Sequence, residues 1–179
     1  MNKPKFAHMG IYVRDLDLMT RFYIEVMGQT ISDRGQATSR PMEMVFFSND
    51  PNEHHQFILV TGRKDEGHGV CEQMSFRVST IEEVRAGYER AKSWGVEDLR
   101  GVDHGNAISV YFSDPEGNNC EIYMQTPWHV PQPNRRLIDF AKTNDEILSD
   151  SEANCRIKEG FMSANEREVI LSQRIATGN

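Results

Sequence analysis

Five polar side chains, His8, His55, Gln73, Tyr111 and Glu121, interrupt segments that otherwise alternate apolar residues with the two-residue period of a β-strand. Met9, Ile11 and Val13 assign His8 to the opposite face of its strand, and Met74, Phe76 and Val78 do the same for Gln73. Ile108, Val110 and Phe112 send Tyr111 to an open face together with Ser109, while Ile122 and Met124 leave Glu121 on the polar face of the last strand. His55 shares the parity of Phe57, which is read as the repeat counterpart of Glu121. A carboxylate and imidazoles converging on one concave surface, with positions left open, form the donor set preferred by non-haem Fe(II); Mn(II), Zn(II) and Ni(II) are held by the same donors. A strand histidine taken singly is ordinarily a surface or hydrogen-bonded residue. Glu121, between Cys120 and Ile122, would need a structural ion pair if it bound no metal. Convergence from repeated elements is what favours ligation.

Those elements come from an internal repeat. Ala7–Asp17 and Glu72–Glu82 each run from strand alternation into helical spacing, at an offset of about 65 residues. Leu16, Met19, Phe22, Tyr23 and Val26 form one helical stripe before Gly28; Ile81, Val84, Tyr88 and Ala91 form another before Gly95, opened by a Thr80/Glu83 capping box. Strands are expected at Thr30–Arg34, Met42–Ser48 and Gln56–Thr61, then at Val96–Arg100, Ala107–Ser113 and Cys120–Gln125. The turns repeat too, Asp50-Pro51-Asn52-Glu53 answering Asp114-Pro115-Glu116-Gly117. The expected architecture is α+β: two βαβββ modules, about 5–62 and 71–126, whose paired curved sheets enclose a metal cleft within a domain of residues 1–133. Pro127, Pro131 and Pro133 punctuate its end, and 134–179 is expected to be a helical C-terminal extension, with capping boxes at Thr143/Glu146 and Ser163/Glu166.

Composition narrows the partners. A formal charge of −7 gives no basic footprint for nucleic acid. No apolar run reaches the roughly 18–20 residues of a membrane helix, and the first residues lack a signal-peptide core, so a cytoplasmic location is expected. Cys71, Cys120 and Cys155 are odd in number and without CxxC spacing, which reads as small hydrophobes rather than disulfides or a zinc site. His54, His68 and His129 are read as structural or surface residues.

Ala7-His8-Met9-Gly10, His54-His55-Gln56-Phe57-Ile58-Leu59, His104-Gly105-Asn106-Ala107-Ile108-Ser109-Val110-Tyr111, Asp114-Pro115-Glu116-Gly117-Asn118, Glu121 and the Pro127–Pro133 segment together resemble the vicinal oxygen chelate superfamily. Within it they resemble the one-domain type I extradiol ring-cleaving dioxygenases, over residues 5–133. The resemblance implies that His8 and Glu121 bind the metal, and that His55 is an acid/base near bound dioxygen, with His104 and Tyr111 on the substrate's oxygens. The third ligand of such enzymes is a histidine, where this chain has Gln73. An amide oxygen also coordinates divalent metals, as in glyoxalase-like members, though it holds iron more loosely.

The expected activity is therefore extradiol cleavage of a catechol-type ring with O₂ at Fe(II), or at Mn(II), on a small aromatic diol. Metal-assisted proton transfer of the glyoxalase or epimerase kind is the alternative; the apolar Phe57 at the fourth pseudosymmetric position argues against it. A metal-free binding protein for small aromatic molecules is a third reading, kept open by Gln73. Substrate choice is expected to depend on loops near Arg34–Arg40 and Gly62–Gly69, and the extension offers apolar stripes for homo-oligomer formation.

Overall fold

The computed structural model describes residues 4–37, 41–64 and 71–177. His68 and most of the Gly62–Gly69 loop therefore lie outside the described residues. The chain divides into two units, Met1–Glu72 with Ser113–Asn118, and Gln73–Phe112 with Asn119–Asn179.

In the first unit β1 (Met9–Val13), α1 (Leu16–Glu25), β2 (Ile31–Gln36), β3 (Glu43–Phe47) and β4 (Phe57–Thr61) follow the expected β, α, β, β, β order. They form a four-stranded sheet, β1-β4-β3-β2, in which β1 and β4 are parallel and pair Met9 with Phe57. The helix starts where Asp15 accepts from the Leu18 N–H, and its predicted stripe is buried: Leu16, Met19, Phe22 and Tyr23 pack on β3 and β4. The Tyr23 ring lies 4.7 Å from that of Phe57, centroid to centroid.

The DPEGN turn belongs to this unit and ties it together. Asp114 accepts from the Glu116 and Asn118 N–H groups, the Asn118 amide and the Tyr23 hydroxyl. Glu116 in turn accepts from the N–H groups of Arg14 and Asp15 at 2.6 and 2.8 Å, at the entrance to α1, and faces Arg63 at 3.4 Å. Burial pushes the Asp114 carboxyl above its ordinary value, against the pull of these donors.

The second unit contains β5 (Met74–Arg77), α2 (Ile81–Trp94), β6 (Arg100–Asp103), β7 (Ala107–Ser113), β8 (Asn119–Gln125), β9 (Trp128–His129), β10 (Arg136–Ile138), α3 (Asn144–Arg156), β11 (Met162–Ser163) and α4 (Ala164–Thr177). Its five-stranded sheet runs β10-β6-β7-β8-β5, and β11 pairs with β9. The Thr80/Glu83 box opens α2, and Gly95 closes it in the left-handed region at φ 94°, which a residue with a Cβ rarely adopts. Both expected capping boxes of the extension form, at Thr143/Glu146 and Ser163/Glu166.

Two βαβββ-like modules and a C-terminal helical region are thus present, but the expected closure is not. Neither sheet is closed or curled to enclose a cleft; each is open, ending at β1 and β2 in one and at β10 and β5 in the other. Closure requires long edge strands that meet. Here β2 is exposed along its whole length and carries a register shift between Ile31 and Asp33, and β5 has four residues. The extension also supplies β10 and β11, so it is not purely helical.

The strand expected at Val96–Arg100 forms instead at Arg100–Asp103. Gly101 and Asp103 are both buried there, where β10 covers β6. Asp103 is then satisfied by the Gly105 N–H, the Ser151 hydroxyl and Arg136.

Candidate functional site

Parallel pairing of β1 with β4 sets the start of one strand beside the start of the other, with the Met9 N–H donating to Gln56 O. Alternation along β1 is as expected, Val13 buried and Gly10 and Tyr12 exposed, so His8 stands on the open face just before the strand. Its ring lies 4.4 Å from the ring of half-buried His55. His55 also rests against Phe46, and its Nδ1 is 2.8 Å from Nδ1 of His54, so one of those nitrogens must carry a proton and the other accept it. Burial first, then the neighbouring His8 and His54, hold His55 below the usual imidazole value. His54, read from the sequence as a bystander, is a direct partner of the predicted acid/base; its other nitrogen faces Asp33 at 3.5 Å.

The parity assigned to Phe57 requires correction. Met9 pairs with Phe57, and Met74 pairs with Cys120, so the residue equivalent to Glu121 is Ile58 rather than Phe57. Phe57 faces the helix side, against Tyr23. The fourth pseudosymmetric position is apolar either way.

In the second unit, parallel pairing of β5 with β8 sets Ser75 opposite Glu121. Glu121 is 5% exposed, which makes an ionised carboxylate costly unless a cation or several donors meet it. The Ser75 hydroxyl donates to Glu121 Oε2 at 2.5 Å, and Gln73 Nε2 donates to Ser75 Oγ at 3.0 Å and to the same carboxylate oxygen at 3.4 Å. Among the described residues no Lys, Arg or His forms an ion pair with it. Ser75 was not singled out in the sequence, although its pairing with Glu121 follows from the strand register.

His104 lies between β6 and β7. Its Nδ1 is 2.8 Å from the Asn134 carbonyl, which only accepts, so Nδ1 carries the hydrogen and Nε2, 3.0 Å from the Tyr111 hydroxyl, is the acceptor. Ser109 shares the face of Tyr111 by strand parity; it is fully buried, and its hydroxyl finds no partner among the described residues.

The predicted residues thus fall into an imidazole pair, His8 with His55, in the first unit, and two hydrogen-bonded groups, Gln73–Ser75–Glu121 and His104–Tyr111, in the second. Among the described residues no three His, Cys, Asp or Glu side chains group as a metal site. A ligand set built on Glu121 therefore has to include a donor of another kind, and the Gln73 amide is at hand. A cation beside Glu121 would repel the NH₂ end of that amide and draw its oxygen in. The buried, cation-free carboxylate and the adjacent amide fit a divalent metal.

The chain belongs to the glyoxalase/bleomycin resistance protein/dioxygenase superfamily, whose sequence profile matches residues 5–122. Among curated relatives it is 28% identical over 128 residues to biphenyl-2,3-diol 1,2-dioxygenase 3 of Rhodococcus globerulus, which covers 66% of this chain and 62% of that protein. A second such enzyme of the same organism, biphenyl-2,3-diol 1,2-dioxygenase 2, is 26% identical over 124 residues and covers the same shares of the two chains. This chain thus spans 62% of the length of these relatives. Among solved structures it is similar to a domain of the superfamily from Frankia sp. EAN1pec, with a TM-score of 0.59 at 19% identity over 70% of this chain and 100% of that one. It is also similar to the fosfomycin resistance protein FosX of Listeria monocytogenes, complexed with Mn(II) and sulfate, with a TM-score of 0.55 at 21% identity over 70% and 95% of the two chains. No helix among the described residues is long and apolar enough to cross a membrane.

Proposed function

We propose that this chain is a divalent-metal-dependent enzyme that moves a proton on a small substrate bearing adjacent oxygens, with His8, Gln73 and Glu121 as the metal's protein ligands and His55 as general base. The observation that carries this reading is the Glu121 carboxylate, buried among neutral donors with no cationic partner among the described residues. Such a charge is stabilised by a bound cation.

Gln73 supports the same reading. A neutral amide oxygen donates less charge than imidazole, which leaves a bound ion a stronger Lewis acid. Such an ion polarises a substrate oxygen and acidifies the neighbouring C–H or O–H. Ile58, at the position equivalent to Glu121, supplies no fourth protein ligand, so this centre departs from the four-ligand pattern of glyoxalase-like enzymes and has three protein ligands under either reading. His55 is packed on His8 and held by His54, an arrangement suited to accepting a proton and returning it. His104 and Tyr111 form a hydrogen-bonded pair whose hydroxyl can orient a substrate oxygen.

Extradiol cleavage of a catechol with O₂ at Fe(II) is the second reading, favoured by the two biphenyl-diol dioxygenases among the relatives. It uses the same residues. The two are separated by loading the protein anaerobically with Mn(II) and following exchange of the carbon-bound protons of hydroxyacetone into D₂O by NMR. Proton transfer requires exchange without O₂ and its loss in His55→Ala. Absent exchange, together with O₂ consumption on Fe(II)-loaded protein across a catechol panel, assigns ring cleavage instead; absence of both removes both readings.

A further inference from the structure

The superfamily match ends at residue 122, and the residues that follow it close around the turn that carries His104. Asp103, on one side of His104, is buried, and its carboxylate accepts from the Ser151 hydroxyl of α3 at 2.9 Å and from Arg136 of β10 at 3.1 Å. Gly105, on the other side, donates its N–H to the same carboxylate, and its carbonyl accepts from the Thr126 hydroxyl at 2.7 Å. A Cβ at Gly105 would stand 2.4 Å from Val130 Cγ2 and 3.1 Å from both Asn134 Nδ2 and Cys155 Sγ, so this later part of the chain packs directly on the turn.

The same segment supplies partners to His104 itself. Gln132 is a bridge: its Nε2 donates to His104 O at 2.8 Å and to Asn106 Oδ1 at 3.2 Å, while its Oε1 accepts from the Asn134 N–H at 3.0 Å. Asn134 is held a second time by Lys158, just past the end of α3, whose ammonium donates to the Asn134 side-chain oxygen. The Asn134 carbonyl, placed by these bonds, accepts from His104 Nδ1. A neutral imidazole can carry its hydrogen on either nitrogen, and a fixed carbonyl beside Nδ1 decides the choice. Nε2 is then the acceptor, which aims the Tyr111 hydrogen at His104 and makes the phenol oxygen an acceptor toward a substrate hydroxyl.

We propose that the segment from Gln132 to Lys158 is a positioning element of the site: Gln132, with Lys158 behind it, holds the Asn134 carbonyl against His104 Nδ1 and so fixes both the His104 tautomer and the direction of its hydrogen bond with Tyr111. The importance of that direction for catalysis rests on the substrate role given above to His104 and Tyr111. The hydrogen-bond geometry itself requires neither metal nor substrate.

The test follows the His104 ring by proton–nitrogen NMR in the full chain without added metal, with the imidazole neutral. Wild type should show one tautomer, with the hydrogen on Nδ1. In Gln132→Met the Nε2–H tautomer should appear, and the Nδ1 hydrogen should exchange with solvent about three- to tenfold faster, the effect of losing one hydrogen bond. Lys158→Met, a change at an exposed residue, should act in the same direction and keeps the proposal testable if Gln132→Met folds poorly. A wild type with the hydrogen on Nε2, or with both tautomers mixed, would overturn the proposal. So would wild-type tautomer and exchange in both variants. Because the readout is taken without metal, failure of this proposal and failure of the proposed metal centre are told apart.

Discussion

Replacing Glu116 with alanine should unfold the first unit's framework more than any surface substitution. The Glu116 side chain is 4% exposed and its partner Arg63 is 11% exposed, so both charges sit largely out of water. The carboxylate also receives the Arg14 and Asp15 N–H groups at 2.6 and 2.8 Å, which would be left without this acceptor at the mouth of α1. Removing one partner of a buried pair costs about 3–5 kcal/mol. Arg63 keeps the Glu116 carbonyl and the Asn118 amide oxygen, each at 3.2 Å, which places the expected loss toward the lower end. At roughly 2–4 °C per kcal/mol for a chain of this size, Tm should fall by about 6–12 °C for a 3 kcal/mol loss. Glu116→Gln retains an acceptor but not the charge and should lose about 1–3 kcal/mol. Urea unfolding followed by circular dichroism gives the loss, and amide exchange should accelerate in α1 and β4. A Glu116→Ala protein within about 1 kcal/mol of wild type would refute the view that this turn fastens the unit.

Three further outcomes are expected. Ser75→Ala removes the shortest donor to Glu121 and should weaken divalent-metal retention by about ten- to a hundredfold, read by equilibrium dialysis. Gly105→Ala places a Cβ at φ 79° and 2.4 Å from Val130 Cγ2, so it should cost about 1–3 kcal/mol from backbone strain alone, measured by urea unfolding. Hydrogen bonds from the Ser163 backbone and side chain hold Glu166 below its ordinary value of 4.5, so this cap supports α4 above that pH and loses its support as pH falls through the lowered value. Amide exchange in the first turn of α4 should accelerate on that acid side in wild type, and already at neutral pH in Glu166→Gln.

The helices were legible because their signals are local: Thr80 with Glu83, Thr143 with Glu146 and Ser163 with Glu166 each fix a start within four residues. His8 and Gln73 were legible through alternation, since Met9 and Met74 mark the inner face at equivalent places. The parity of β4 was not, because Phe57-Ile58-Leu59-Val60 is apolar throughout and an unbroken run hides which residues face the helix. Only the pairing of Met9 with Phe57 reveals that Ile58, not Phe57, answers Glu121. β6 was displaced because the partners that let Asp103 sit in the interior, Arg136 and Ser151, lie more than 30 residues away and leave no local signal. Likewise, the partnership of His54 with His55 depends on ring orientation, and open rather than closed sheets depend on which edges pair, neither of which a local pattern encodes.

In the proposed metal centre His8, Gln73 and Glu121 together hold one divalent ion. Elemental analysis of the purified protein after Mn(II) or Fe(II) loading and dialysis tests it most directly: wild type should retain close to one metal per chain, and His8→Ala and Glu121→Ala should retain none. Equal metal content in all three proteins, or a wild type that keeps no ion, would contradict it.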